Sequence, residues 1–357
     1  MKEGNETQID ENPSSETSVS EGDSVDVGSD PSKKPSKDGL LPNFSELSKV
    51  RLNALVLGTT AVGFAVAPVH QTAMILFWTM VGTGLVAFSS AMMNQLAEVE
   101  LDRRMKRTES RPLPAGLVSK RSVFITSMLL AYAGVVILGL KVNLLCSGLA
   151  LANLLIYIVM YTPMKTRTTL NTLVGAICGA IPPMIGWAAA TGDISGGAWL
   201  LGLILFIWQL PHFFALAVMY KVDYERGGFA MLPVKDTRGE VTVQVILTTS
   251  LMLLPLGLTI TAIGVAGWWY AGVSVLMGLW MAWNALKLYL NRNRDQARRV
   301  FFSTLAYLPV VLGVMVLDRG PSVPSPELYE AMNPYPVTER PVVDPFMNEP
   351  TSESNDD

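Results

Sequence analysis

Nine apolar runs of roughly 18–22 residues succeed one another between residues 52 and 317, and each can cross a hydrocarbon core of about 30 Å as a helix rising about 1.5 Å per residue. They fall at about 52–69, 73–93, 123–140, 144–161, 170–190, 198–219, 243–263, 269–289 and 300–317. Strands of a closed barrel would be shorter and alternating, so the expected fold is all-α and integral to a membrane. Charge agrees. Of 30 acidic residues, 11 lie in residues 1–50 and 9 in 318–357, which leaves ten for the 267 residues between. A soluble domain with so little charge would be exceptional.

Residues 1–43 are rich in Ser, Glu, Asp, Gly and Pro and have almost no large apolar side chains, so a disordered tail is expected there. The same composition returns over 319–357, leaving 44–318 as the membrane domain. The first tail has neither the Arg-rich character of a transit peptide nor the apolar core of a signal peptide, which favours a bacterial cell membrane. With nine spans, 24 of the 27 Lys and Arg residues fall on one side. The positive-inside rule makes that side cytoplasmic, with the N-terminus inside and the C-terminus outside.

Nine of the ten acids between residues 51 and 317 share that side. In the loop after the second run, Asn94, Glu98 and Asp102 are spaced by four, so a continuing helix sets them on one face. Carboxylates one turn apart repel unless a cation sits between them. Mg²⁺ suits this pattern, since it takes oxygen ligands and bridges to phosphates. Arg107 and Arg111 follow, as a diphosphate would require; a solvated helix end with ordinary ion pairs is the competing explanation. Glu100 points away from the Glu98 face. Asp223, with Lys221 beside it, could add a carboxylate and a phosphate partner, or simply end a helix before Gly227-Gly228. Lys165 lies in a short loop near the same surface, and Asn171 opens the next span. His212 follows Pro211 inside a span, where an ionisable residue marks a functional site by default; it could ligate a haem iron, hydrogen-bond a propionate, or pack against a neighbouring helix. Cys146 and Cys178 have no pairing or ligand spacing and read as packing residues.

The stretch Asn94-Gln95-Leu96-Ala97-Glu98-Val99-Glu100-Leu101-Asp102 with Arg107-Thr108-Glu109-Ser110-Arg111-Pro112-Leu113 resembles the first signature of the UbiA superfamily of intramembrane prenyltransferases, and the Arg-Thr-x-x-Arg-Pro-Leu part resembles its protohaem IX farnesyltransferase branch. Tyr161-Thr162-Pro163, Pro182-Pro183, Gly186-Trp187, Trp208 through Pro211-His212-Phe213, and Met231-Leu232-Pro233 are similar to the same branch. The resemblance implies a nine-helix bundle around a central cavity under a cytoplasmic cap, with Mg²⁺ as cofactor. Farnesyl diphosphate and haem b would be the substrates, and the product would pass to a haem A synthase or oxidase-assembly partner. It further implies Asn94, Glu98, Asp102 and Asp223 as metal-binding catalytic residues, Arg107, Arg111, Lys165 and Lys221 as diphosphate ligands, and His212 and Asn171 on the haem side. Two departures stand out: Glu98 replaces the usual Asp, and Met219 and Gly227 occupy the positions four residues from Asp223. Prenylation of an aromatic quinone precursor is the alternative within this fold. A transporter would bury charge deep in several helices, which the sequence does not do; nothing points to nucleic acid.

Overall fold

The computed structural model describes residues 46–106, 108–320 and 323–324; the 1–43 tail, Arg107 and the chain beyond 324 lie outside the described residues. Helices in order are α1 (Val50–Ala65), α2 (Ala73–Asp102), α3 (Lys120–Lys141), α4 (Leu144–Met164), α5 (Asn171–Thr191), α6 (Gly196–Met219), α7 (Lys221–Arg226), α8 (Leu232–Lys235), α9 (Glu240–Ala262), α10 (Trp268–Asn291) and α11 (Arg294–Leu317). Eight of them, α2–α6 and α9–α11, are long and apolar enough to cross a membrane. The first of the nine expected spans is shorter. Lys49 takes a left-handed conformation with φ 48° just before α1, which starts at Val50, two residues ahead of the expected span, and ends at Ala65, three before Pro68 and four short of the expected end. At about 1.5 Å per residue that gives roughly 24 Å, less than the full hydrocarbon thickness.

Helices α5 and α6 form the interior. In their most apolar windows 72% and 67% of residues are buried, against 17% in α4 and 28% in α3, whose Leu129, Tyr132, Leu140 and Val159 face outward. Small residues let α5 take that place. A side chain on Gly186 would collide with the Thr60 carbonyl, and one on Gly63 with the Pro183 carbonyl, so α1 and α5 touch backbone to backbone. Gly186→Leu is therefore expected to separate the two helices and lower the thermal unfolding midpoint in detergent by several degrees; an unchanged midpoint would contradict the contact.

Polar side chains pin the helix ends. Ser119, Asn143 and Asn293 cap α3, α4 and α11 by accepting the Ser122, Cys146 and Gln296 amides at 3.0, 2.7 and 2.9 Å. At the end remote from the acidic loops, Asp318 accepts the Tyr270 amide at 2.8 Å and Arg319 donates to the Ala65 carbonyl at 3.0 Å. Val323 and Pro324 pair in parallel with Val69 and His70.

Candidate functional site

Helix α2 has 30 residues, about 45 Å of rise, so its last turns outrun the apolar core and carry polar side chains out of it. Asn94, Gln95, Glu98 and Asp102 are nonetheless buried there, because other segments fold over that face. Glu100, on the opposite face, is exposed and pairs with Arg103 at 3.1 Å and Lys120 at 3.4 Å. The four-residue spacing thus separates an inward face from a solvated one.

Each buried carboxylate receives a cation from a different part of the chain. Beyond α2 the chain reverses through tight turns, with the Thr108 hydroxyl donating to the Asp102 carbonyl at 2.9 Å. This reversal aims the Arg111 guanidinium at Asp102 Oδ2, 2.9 Å away. Lys165 comes from the end of α4, where residues Ile156–Tyr161 widen into a π-helical turn, a form common at functional sites. Its Nζ donates to Glu98 Oε1 at 2.6 Å and lies 4.5 Å from the centre of the Tyr161 ring. Burial opposes the charge on Lys165, but Tyr161, Glu98 and the bond to Glu98 outweigh it and hold the ammonium above its usual pKa.

A third cation is one that the sequence does not single out. Gln95 donates to the Glu46 and Leu47 carbonyls at 3.1 and 2.9 Å and so holds the segment before α1 against α2. Lys49 is thereby placed with its Nζ 3.3 Å from Asn94 Oδ1. Burial, reinforced by the charges of Arg111 and Lys165 and only partly offset by Glu98 and Asp102, brings its pKa down to about 7. The same burial raises the Glu46 carboxyl, with Arg111 acting against it. A non-glycine residue in left-handed backbone at this point is a local strain that the packing must hold.

Several expected members stand elsewhere. Lys221 turns to the Asp236 carbonyl at 3.5 Å and lines a surface cleft of about 170 Å³ with Arg238 and Arg292. Lys221 is the first residue of α7, which follows α6 directly after Tyr220. Asp223 lies 4.0 Å from Arg226, and among the described residues no three of Asp, Glu, His or Cys converge. Glu98 and Asp102 thus sit together on α2, while Asp223 stands on α7 beside Arg226. Asn171 spends its amide on the Thr168 and Ala230 carbonyls at 2.6 and 3.0 Å, and the Ala230 amide donates to the Lys165 carbonyl at 2.7 Å. It clasps two loops together. His212 lies within the bundle against α11, bonded to Thr304. Arg107 is outside the described residues.

What remains is compact: two buried carboxylates and an amide along one helix face, met by Arg111, Lys165 and Lys49. Such a face can hold a divalent cation, and the surrounding cations can hold a polyphosphate.

Comparison with known proteins places this arrangement in a family. Residues 56–307 match the UbiA prenyltransferase family. The chain is 39% identical over 287 residues to the protoheme IX farnesyltransferase of Solibacter usitatus, covering 78% of this chain and 98% of that one. It is 38% identical over 307 residues to the human mitochondrial protoheme IX farnesyltransferase, covering 84% and 69%. Among solved structures, a UbiA homologue from Archaeoglobus fulgidus bound to GPP and Mg²⁺ superposes with a TM-score of 0.58 at 13% identity, over 76% of this chain and 99% of that one. One from Aeropyrum pernix K1 gives 0.60 at 18% identity, over 75% and 98%. At those identities the structures speak for the fold, while the sequence matches carry the relationship: the chain belongs to the UbiA prenyltransferase family.

Proposed function

We propose that this membrane prenyltransferase converts haem b to haem O, moving a farnesyl group from farnesyl diphosphate to a haem vinyl group. In the balance, the allylic C–O bond breaks, a C–C bond forms, water adds its hydroxyl to the vinyl carbon left cationic, and one proton is released. The observation that carries the reading is the pair of buried carboxylates, Glu98 and Asp102, each held by a cation at the charged end of the helix bundle. The names of the relatives supply the acceptor and the prenyl chain. By the distribution of Lys and Arg, that end faces the cytoplasm.

An all-oxygen set of two carboxylates and one amide fits Mg²⁺, which typically binds one or two carboxylates and takes its remaining ligands from phosphate and water. Bound between Glu98, Asp102 and Asn94, the ion would stabilise negative charge on the departing diphosphate. Arg111 and Lys165, now paired with those carboxylates, carry the charge to grip diphosphate oxygens once a cation takes over the acids. Lys49 adds a third donor from the other side of Asn94. Below them, the apolar sides of α5 and α6 keep water from the allylic carbon until the vinyl group reaches it.

Lys49 makes this testable through protons. With a pKa of about 7, its amine is mostly neutral at pH 8, and a bound diphosphate raises that value. Binding at pH 8 should then take up close to one proton, seen as a calorimetric enthalpy that varies with buffer ionisation. At pH 6 the uptake should shrink, and Lys49→Met should remove it; an enthalpy independent of buffer at pH 8 would exclude Lys49 as a ligand. The sign for folding follows too. The native chain holds fewer protons at Lys49 than the unfolded chain between about pH 7 and the ordinary 10.5, so this residue's contribution to stability rises with pH across that window and is smallest below it.

The function itself is tested by offering labelled farnesyl diphosphate to membranes with either haem b or 4-hydroxybenzoate. Label on haem supports the proposal; label on the benzoate alone would replace it with quinone-precursor prenylation.

A further inference from the structure

His212 is gripped on both faces. Trp208, one turn earlier in α6, stacks on it at 5.2 Å with planes 19° apart, and Phe301 of α11 stacks on the other side at 4.8 Å and 26°. This sandwich fixes the plane of the imidazole, and a single hydrogen bond fixes its rotation within that plane. Nδ1 lies 2.9 Å from the Thr304 hydroxyl.

The direction of that bond follows from what else Thr304 does. Its Oγ1 is 2.6 Å from the Phe301 carbonyl, which can only accept, so the one hydroxyl proton is committed there. Towards His212 the hydroxyl has only lone pairs to offer, and Nδ1 must be the donor. The backbone carbonyl of Thr304 in turn accepts the Trp208 indole N–H at 2.8 Å, so one fully buried threonine orients both rings. In the neutral imidazole this leaves Nε2 with a bare lone pair. Nε2 has no hydrogen-bond partner among the described residues, and the side chain is not fully enclosed.

From this hydrogen-bond chain we infer that His212 binds the haem substrate by donating its Nε2 lone pair to the iron, and that Thr304 is the positioning residue that holds the required tautomer. The inference rests on the haem reading above. It separates two roles that the sequence leaves open, because a propionate contact would need an N–H at Nε2, which this tautomer lacks. Only a dative Fe–N bond forms, in place of a water or other exchangeable iron ligand, and no electron or proton changes hands. A neighbour that accepts from Nδ1 is the usual support for a ligating imidazole, and its loss ordinarily weakens such sites by about 10–100-fold.

The test uses the purified full chain with haem b, read by resonance Raman and absorption spectroscopy of the ferrous complex. The wild type should show an iron–histidine stretch, His212→Ala should lose it, and added imidazole should restore axial ligation in that variant. Thr304→Val should shift the stretch and weaken haem binding by about tenfold, while Thr304→Ser should retain both. Should His212→Ala fail to fold, the Thr304 pair carries the result. An iron–histidine signature unaltered by His212→Ala, or by Thr304→Val where only that variant folds, overturns the inference while leaving haem farnesylation intact. Wild-type protein with no affinity for haem b would instead overturn the functional reading itself.

Discussion

Asp102→Asn is expected to lower prenyl transfer by about 10²–10³-fold, the scale on which loss of a group that organises transition-state charge is felt. Asparagine preserves the shape of the side chain and can still accept the Arg111 hydrogen bond, made at 2.9 Å in the wild type, so the reversal after α2 should survive. What it cannot supply is the full negative charge that a divalent ion needs. The loss should therefore appear as a rate that no longer responds to Mg²⁺ in the range that saturates the wild type, with a thermal unfolding curve close to the parent's. A wild-type rate at limiting Mg²⁺ would remove Asp102 from the metal site. Asp223→Asn gives the contrast. Its carboxylate is 24% exposed and 4.0 Å from Arg226, where that of Asp102 is 2% exposed and on the same helix face as Glu98, so its effect should be smaller by an order of magnitude or more.

The residues that the sequence exposes most clearly are those whose role depends on local spacing. Helices α2–α6 and α9–α11 follow from uninterrupted apolar runs, and the inward face of Asn94, Glu98 and Asp102 follows from a four-residue period on one helix. Glu100 falls outside that face by the same reasoning, and its ion pairs with Arg103 and Lys120 lie there. Lys49 is different. In sequence it is one more basic residue flanking a span, and its burial depends on Gln95, 46 positions later, drawing the segment onto α2. No periodicity encodes such a contact. The surroundings of Lys221 and Asn171 are hidden for a related reason: both sit at helix junctions where the side-chain direction is set by how two loops meet, and backbone carbonyls of Asp236, Thr168 and Ala230 accept from them. The shorter α1 follows from its end at Ala65, ahead of Pro68, where the apolar run continues to Val69 without remaining helical.

The second large effect is expected from Lys165→Met. Its ion pair with Glu98 is closely enclosed, with side chains only 12% and 7% exposed, so removing the cation strands a carboxylate away from water. Breaking such a pair from one side typically costs about 3–5 kcal/mol, because the remaining charge is left uncompensated. Lys165→Met should therefore lower stability sharply and abolish transfer as well, leaving fold and function confounded in the single variant. The double variant Lys165→Met/Glu98→Gln separates them. With the stranded charge gone, most of the stability should return, since a buried pair is often replaceable by neutral groups at little cost. Transfer should not return, because both the diphosphate donor and the metal carboxylate are absent. Thermal unfolding and initial rates on the four proteins of this cycle would measure both quantities. If the double variant were no more stable than Lys165→Met alone, the stabilising contribution of Lys165 would have to lie in its position over the Tyr161 ring rather than in neutralising Glu98. Recovered transfer in the double variant would instead show that diphosphate is held by Arg111 and Lys49 without this pair, and would shift the centre of the site toward Asp102.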